Sequence, residues 1–171
     1  THVGESKVRQ ALIKYPQLTG VVKHMIGHLQ TNKVKSALEV FDIIQSVDSY
    51  RLAQELDRQC SNLDRRIQIL VQVNTAGEEQ KFGSAPHETR DLLRQISDFK
   101  TMDVLGLMAM GPLTENKQEI RDCFKKTKDL YQEMSKDFIG IPNISMKFLS
   151  MGMSDDYEIA LEEGANMLRI G

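Results

Sequence analysis

The chain has 171 residues, of which 40% are hydrophobic and 27% charged, a composition typical of a globular protein with a substantial core. Its 22 basic and 24 acidic residues give a net charge of −2, which provides no basic surface for nucleic acid or for an anionic membrane. Two cysteines are too few for a disulfide framework, and no apolar run approaches the roughly 20 residues of a membrane span. We therefore expect a cytoplasmic protein with reduced thiols and without nucleic-acid or membrane partners.

Hydrophobic periodicity and turn residues predict helices that alternate with strands along the chain. The clearest strand is IQILVQVN, because it is β-branched, apolar on both faces and followed by a polar loop. Pro86 suits the first turn of a helix, and Asn116 with Glu119 forms a plausible capping pair for a longer one. Three predicted helices cover residues 8–14, 31–39 and 157–163. Three more begin near residues 49, 86 and 116. The predicted strands cover residues 24–29, 41–47, 67–74 and 104–110, a stretch from residue 148, and residues 167–170.

This alternation predicts right-handed βαβ units and one parallel sheet, in a single domain that spans residues 1–171. Two architectures fit the pattern: an open doubly wound sheet, and a (β/α)8 barrel that is shortened at its ends. An intact barrel takes about 250 residues and eight strands, whereas the pattern shows six strands here. Periodicity does not choose between them. Both architectures bind ligands at the carboxyl ends of the strands, so polar residues at those ends are the candidates.

One such end is the stretch FLSMGMSDD, residues 148–156, where a buried strand leads through small residues into a helix. Unpaired backbone N–H groups at such a turn attract an anion, and Ser150 and Ser154 could add hydroxyl donors. The alternative is that Ser154 or Asp155 only caps the helix. Asp155 and Asp156 would also compete with an anion for the same N–H groups. The residues alone therefore leave phosphate binding and capping open.

Two other strand-end residues have two interpretations each. Arg169 lies in the apolar strand MLRIG, where a guanidinium must contact either a ligand or an acidic partner, because its burial without partners is costly. His28 could be a base, although a hydrogen-bonded structural role is more common. His24 and His28 are four residues apart within a predicted strand, a spacing that does not place both on one metal. We predict no metal site.

Several motifs in a fixed order resemble one family, the pyridoxal-phosphate homeostasis proteins of the YggS/PROSC group. They are IGHLQTNK at 26–33, GLMAM at 106–110, LSMGMSDD at 149–156 and LRIG at 168–171. HVGES at 2–6 is similar to the Gly-Glu-Asn segment of that family, and EEQKFG at 78–83 is similar to its Glu-x-x-Lys-x-Gly loop. The resemblance implies a (β/α)8 TIM barrel of the alanine racemase N-terminal type, which in this chain lacks the first strand and the last helix.

The resemblance also implies the cofactor pyridoxal 5′-phosphate and a set of residues that hold it. The phosphate-binding turn of the family corresponds to Ser150, Gly152, Met153 and Ser154, and its second phosphate contact corresponds to Gly171. The arginine that faces the pyridine nitrogen corresponds to Arg169. Two strand-end positions near the cofactor correspond to His28 and Asn74. An arginine does not readily give up a proton, so the ring nitrogen would stay unprotonated and the cofactor would be a poor electron sink. This suits a protein that holds the cofactor better than it suits a general transaminase. The resemblance itself implies a protein that holds or delivers vitamin B6 and is not a conventional enzyme.

The chain departs from the family pattern at several positions. The Schiff-base lysine of the family lies on a strand upstream of HVGES, so no lysine of this chain corresponds to it. We therefore expect the chain to bind pyridoxal phosphate weakly and without a covalent bond. Ser6 replaces the asparagine of Gly-Glu-Asn, Lys23 replaces an aromatic residue, and Phe82 replaces a small residue.

Two rival functions remain at this stage. An amino-acid racemase-like enzyme would need a catalytic tyrosine, and the four tyrosines lie in or beside predicted helices or connections. An interaction module that has lost its ligand would bind no cofactor. We expect a monomer, or at most a weak dimer.

Overall fold

The computed structural model describes residues 1–78 and 80–171, and within them seven strands form one parallel sheet. The strands are β1 (His2–Glu5), β2 (Val22–Met25), β3 (Ile43–Val47), β4 (Ile67–Val73), β5 (Met102–Ala109), β6 (Ile144–Met153) and β7 (Met167–Arg169). The α-helices are α1 (Val8–Lys14), α2 (Val34–Leu38), α3 (Tyr50–Asn62), α4 (Thr89–Ser97), α5 (Lys117–Asp137) and α6 (Tyr157–Glu162). Short 3-10 helices cover Tyr15–Gln17, Thr31–Lys33 and Pro86–Glu88.

The order of the strands in the sheet decides between the two architectures. Each strand pairs with the next one along the chain, in the order β1 to β7, and every pair is parallel. A doubly wound sheet would reverse its strand order near the middle, whereas a barrel keeps sequential order. The structure is therefore a nearly closed barrel, and the predicted barrel class is confirmed.

The predicted elements are confirmed except near the start of the chain. Strand β1 was not predicted, because four residues with two small or charged members give a weak apolar signal. The strand predicted at 24–29 lies at Val22–Met25 instead, and residues 26–30 form a loop. The helix predicted at 31–39 is a 3-10 turn followed by α2.

Two apolar regions stabilise the barrel. Outside the sheet, helices pack on the outward faces of the strands in two clusters, one centred on α1 to α4 and one on α5 and α6. Inside the sheet, a separate cluster of inward-facing side chains fills the barrel. It comprises Ile43, Leu70, Leu105 and Met108, with Val22, Met110, Phe148 and Met167 packed against them. The barrel is therefore a packed core at this level rather than a pore.

A bulge in β5 aligns this inner cluster. Gly106 has φ +146°, and the register between β5 and β6 shifts beside it. A Cβ atom at Gly106 would lie 1.9 Å from the carbonyl oxygen of Phe148, so a larger residue does not fit. The shift places Leu105 and Met108, three residues apart, on the same inward side.

Strands β1 and β7 are the two edges of the sheet, and a cavity of about 460 Å³ lies between them. Among the residues that line it are His2, His24, Gln45, Arg169 and Gly171. Both cysteines are buried and free. Within the described ranges, none of the helices is long and apolar enough to cross a membrane.

Candidate functional site

The inward face of the barrel changes from apolar to polar along the strands. On five strands, an apolar inward residue is followed two positions later by a polar one, the spacing that keeps both side chains on one face. We call the first set the apolar layer: Val22, Ile43, Leu70, Phe148 and Met167. We call the second set the polar layer: His24, Gln45, Gln72, Ser150 and Arg169. The polar layer is nearer the carboxyl ends of the strands, where ligands bind in this architecture.

Arg169 and Ser150 are in direct contact within the polar layer. The Nη1 of Arg169 donates to Ser150 Oγ at 2.9 Å, and its Nη2 donates to the carbonyl oxygen of Ala109 at 2.8 Å. None of the ion pairs among the described residues includes Arg169. Burial lowers the pKa of Arg169 to about 10, and the nearby charge of Asp156 opposes this shift. The guanidinium stays protonated at neutral pH, so the cavity is lined by a partly buried cation that forms no salt bridge among the described residues.

Gly152 allows the turn after β6 to pack closely on its neighbours. Its φ is +94°, which favours glycine, and a Cβ atom there would lie 2.5 Å from Cβ of Ala160 in α6. A Cβ would also lie 3.0 Å from Cδ2 of Leu168, so glycine lets both α6 and β7 approach β6. The packing places the turn beside the end of β7.

The end of this turn brings Ser154 and Gly171 together. Ser154 Oγ lies 3.4 Å from both the N and the O of Gly171, two long contacts between residues from different segments. The N–H of Met153 is already engaged, because it donates to Oδ1 of Asp156 at 2.6 Å. The competition by a carboxylate that the sequence suggested therefore occurs at Met153. For the N–H groups of Ser154 and Asp155, no acceptor is found in the described part of the chain.

His28 lies at the rim of the barrel, apart from the Ser150–Arg169 pair. Its Nδ1 lies 3.4 Å from Oδ2 of Asp48, and its ring stacks on Phe82 with centroids 3.7 Å apart and an interplanar angle of 10°. Phe82, which replaces a small residue of the family, therefore contacts a predicted site residue. The proposed cofactor contact of His28 stays a prediction.

The side chain of Asn74 is engaged by the loop that follows β4. Its Nδ2 donates to the carbonyl oxygens of Glu78 (2.8 Å) and Lys81 (3.2 Å), and its Oδ1 accepts from the N–H of Gly77. Lys81 also pairs with Glu78 at 2.6 Å and donates to the carbonyl oxygen of Gly111. The Glu-x-x-Lys-x-Gly motif thus ties two loops together, although its second residue, Glu79, lies outside the described residues. A cofactor contact of Asn74 also stays a prediction.

The structure adds two residues that the sequence analysis did not assign to the site, His24 and Gln45. Each is 2% exposed, and the side chain of Gln45 bonds to both His24 and Ser150. The signal for them was present as the repeated triplets VKH, IIQ, LVQ, FLS and MLR, in which a polar residue follows an apolar one at a spacing of two. The prediction considered only polar residues at the ends of strands, whereas His24 and Gln45 lie inside them.

Comparisons with known proteins agree with this geometry. The family described as alanine racemase, N-terminal domain, matches residues 5–171. Pyridoxal phosphate homeostasis proteins of Helicobacter pylori and Aquifex aeolicus are 40% and 37% identical to the chain, each over 98% of it and 73% of the relative. PipY of Synechococcus elongatus, solved without PLP, has a TM-score of 0.90 at 34% identity, with 98% of this chain and 78% of that chain covered. A second structure of PipY, with PLP bound, has a TM-score of 0.87 at the same identity and coverage.

An alanine racemase of Clostridium difficile, 12% identical with a TM-score of 0.82, shares the fold over 99% of this chain and 43% of that chain. The sequential parallel strands and the polar layer at their carboxyl ends define a barrel of the alanine racemase N-terminal-domain class. Within that class, this chain belongs to the pyridoxal phosphate homeostasis protein family.

Proposed function

We propose that residues 1–171 form one domain that binds pyridoxal 5′-phosphate on the β6–β7 side of the barrel mouth. The observation that carries the proposal is the convergence of Arg169, Ser154 and Gly171 at the ends of two neighbouring strands. PipY, a relative at 34% identity, has been solved with PLP bound, and its fold superposes on this chain with a TM-score of 0.87. Shared fold and shared family support the same ligand class.

The residues present fit the two ends of the cofactor. A phosphoryl group needs several hydrogen-bond donors, and the Ser154 hydroxyl with the N–H groups of Ser154, Asp155 and Gly171 provides them at the turn after β6. The ring nitrogen needs a donor if it is to stay unprotonated, and the guanidinium of Arg169 has N–H groups beyond the two that bind Ser150 and Ala109. The residues that we propose to contact the cofactor are Ser154, Arg169 and Gly171. Gly152 shapes the turn, whereas the Ser150 hydroxyl and the Met153 N–H already donate to Gln45 and Asp156, so they support the site rather than donate to the cofactor.

We further propose that the protein holds or delivers the cofactor and does not act as a racemase. Pyridoxal phosphate supplies an aldehyde and an electron-withdrawing ring, and an arginine at the ring nitrogen weakens that electron withdrawal. Among the described residues, the lining of the cavity contains no tyrosine, the base that a racemase-like enzyme would need. Tyr15 is buried, and burial raises the pKa of its hydroxyl to about 12, which makes it a poor base. The buried free thiols suit a cytoplasmic setting for this role.

Titration of the chain with pyridoxal phosphate, followed by cofactor absorbance and fluorescence, tests the proposal. We expect saturable binding that dialysis reverses, and an intact mass that borohydride does not change. Ser154→Ala should weaken binding about tenfold, because a charge-assisted hydrogen bond is lost. Ser97→Ala, at a surface serine of α4, should leave binding unchanged.

If excess protein leaves the absorbance and fluorescence spectra of pyridoxal phosphate unchanged, cofactor binding is contradicted. Racemisation of L-alanine to D-alanine by the chain would overturn the non-enzymatic role and leave the binding proposal intact.

A further inference from the structure

Four side chains of the polar layer, together with exposed His2 on β1, form a continuous hydrogen-bond network across the barrel. His2 Nδ1 lies 2.8 Å from His24 Nε2, and His24 Nδ1 lies 2.8 Å from Gln45 Nε2. Gln45 Oε1 accepts from Ser150 Oγ at 2.7 Å, and Ser150 Oγ accepts from Arg169 at 2.9 Å. The chain therefore links β1, β2, β3, β6 and β7, and it ends on the guanidinium that we assign to the cofactor.

Donor and acceptor chemistry allows only one direction of donation along this series of hydrogen bonds. Arginine has no acceptor, so Ser150 Oγ must accept from Arg169 and send its own proton to Gln45 Oε1. The amide nitrogen of Gln45 then faces His24 and donates to Nδ1, which must be unprotonated. The proton of His24 is left on Nε2, from which it is donated to His2. Each group thus fixes the orientation of the next.

Burial keeps these hydrogen bonds donating in the same direction. Ser150 is fully buried, and His24 and Gln45 are nearly so, which means that any unpaired polar atom among them would be costly. Burial and, to a smaller extent, nearby His2 lower the pKa of His24 to about 4, against the opposing effect of Asp42. His24 is therefore neutral at physiological pH, and its Nδ1 remains an acceptor for Gln45. Gln45 also approaches Sδ of Met167 at 3.4 Å, which restrains its side chain on the other side.

At the last residue of this hydrogen-bond series, few partners fix the orientation of the Arg169 guanidinium. Its acceptors are Ser150 Oγ and the carbonyl oxygen of Ala109, and no carboxylate among the described residues pairs with it. The backbone carbonyl has a fixed position, whereas the Ser150 hydroxyl can rotate. The direction of its lone pairs, which Gln45 sets, therefore determines where the guanidinium points.

We propose that Gln45 and His24 are positioning residues for the cofactor: acting through Ser150, they aim the guanidinium of Arg169 at the ring nitrogen of pyridoxal phosphate. This inference rests on the proposed function and adds to it the two residues that sequence motifs did not identify. Neither residue needs to touch the cofactor to have this effect.

Two variants test the effect on cofactor binding, with Thr127→Val as the control. Thr127 is fully buried on α5, and its hydroxyl contacts the Thr75 hydroxyl and the carbonyl oxygen of Cys123, away from the polar layer. Gln45→Leu should weaken pyridoxal phosphate binding about tenfold and shift the absorbance maximum of the bound cofactor, because Ser150 loses its acceptor. His24→Asn should also weaken binding. Thr127→Val should lower stability and leave affinity within about twofold of wild type.

Gln45→Glu provides a second readout that needs no cofactor. A carboxylate at this position accepts from Ser150 and draws a proton onto Nδ1 of His24. Proton NMR of the imidazole should therefore show the pKa of His24 raised by at least about two units. If Gln45→Leu fails to fold, His24→Asn still tests cofactor binding, and the size-conserving Gln45→Glu variant tests the hydrogen-bond network on which the positioning role depends.

Equal cofactor affinities of Gln45→Leu and Thr127→Val would overturn the positioning role, and so would an unchanged pKa of His24 in Gln45→Glu. If the wild-type chain binds no pyridoxal phosphate, the proposed function fails. The NMR titration of the cofactor-free protein then still shows whether the directed chain exists.

Discussion

The apolar and polar layers of the barrel interior are built from the same strands, yet they meet opposite physical demands. In the apolar layer, side chains such as Leu70 and Ile43 pack without hydrogen-bonding requirements and remove apolar surface from water. In the polar layer, Gln45 and Ser150 are buried to the same extent, and their amide and hydroxyl groups must find hydrogen-bond partners. The comparison teaches that burial alone does not separate core from site. What separates them is whether the buried groups require specific, directed partners.

The largest effect on stability should come from a cavity in the apolar layer. Leu70→Ala removes a fully buried side chain from the inner cluster and should cost about 2–5 kcal/mol of unfolding free energy. Urea denaturation monitored by circular dichroism measures it. Leu113→Ala, at a residue that is 94% exposed, should change stability by less than about 0.5 kcal/mol. Equal losses for the two variants would mean that the inner cluster is not a packed core.

Acid should weaken the polar layer through His24. Its pKa in the folded protein is about 4, whereas an unfolded histidine has a pKa of about 6.5. Between these values the unfolded chain binds a proton that the folded protein does not. The unfolding free energy should therefore fall as the pH falls from 6.5 to 4, by up to about 3 kcal/mol.

Denaturation at a series of pH values measures this slope. His24→Asn should flatten it, and His87→Asn, at an exposed position, should preserve it. A slope that His24→Asn leaves unchanged would show that His24 is not the group responsible.

A methyl group at Gly152 should disturb the junction of the polar layer with the turn after β6. Gly152→Ala introduces a Cβ 2.5 Å from Ala160 at φ +94°, and should cost about 2 kcal/mol as well as weakening cofactor binding. Gly20→Ala is the control, since Gly20 has φ +70° with no atom within 4 Å of its Cβ position. It should cost about 1 kcal/mol and leave binding intact. Similar binding losses for both variants would contradict a specific role of the turn.

Arg169→Met should have the smallest effect on stability and the clearest effect on function. Replacing this partly buried guanidinium by an apolar side chain of similar length removes the cost of its desolvation, which offsets the loss of its hydrogen bonds to Ser150 and Ala109. We therefore expect unfolding free energy within about 1 kcal/mol of wild type and cofactor affinity reduced at least about tenfold. Arg169→Lys should recover part of the affinity at most, because an ammonium lacks the planar set of donors. A large stability loss with unchanged affinity would make Arg169 a structural residue.

Much of the fold followed from the sequence, since strands such as β4 combine β-branched residues with clear polar ends. Strand β1 was not predicted, because this short segment of small and charged residues becomes a strand by pairing with β2, which is a tertiary effect. The choice of a barrel over a doubly wound sheet depends on strand order, which local periodicity does not encode.

The site followed from the sequence less completely. The turn at Gly152 and Ser154 was identified because small residues between a buried strand and a helix are typical of a turn that binds an anion. The directions of His28 and Asn74 were not predictable, since a side chain at a strand end turns toward whichever partners the loops supply. Gln45 was missed because its importance comes from partners on β2 and β6 that are distant in sequence.

A crystal structure of the chain with pyridoxal phosphate bound tests the cofactor assignment most directly. We expect the phosphoryl oxygens within hydrogen-bonding distance of Ser154 Oγ and the N–H of Gly171, and the ring nitrogen facing the guanidinium of Arg169. A phosphoryl group bound elsewhere, with Arg169 still directed only at Ser150 and Ala109, would contradict it.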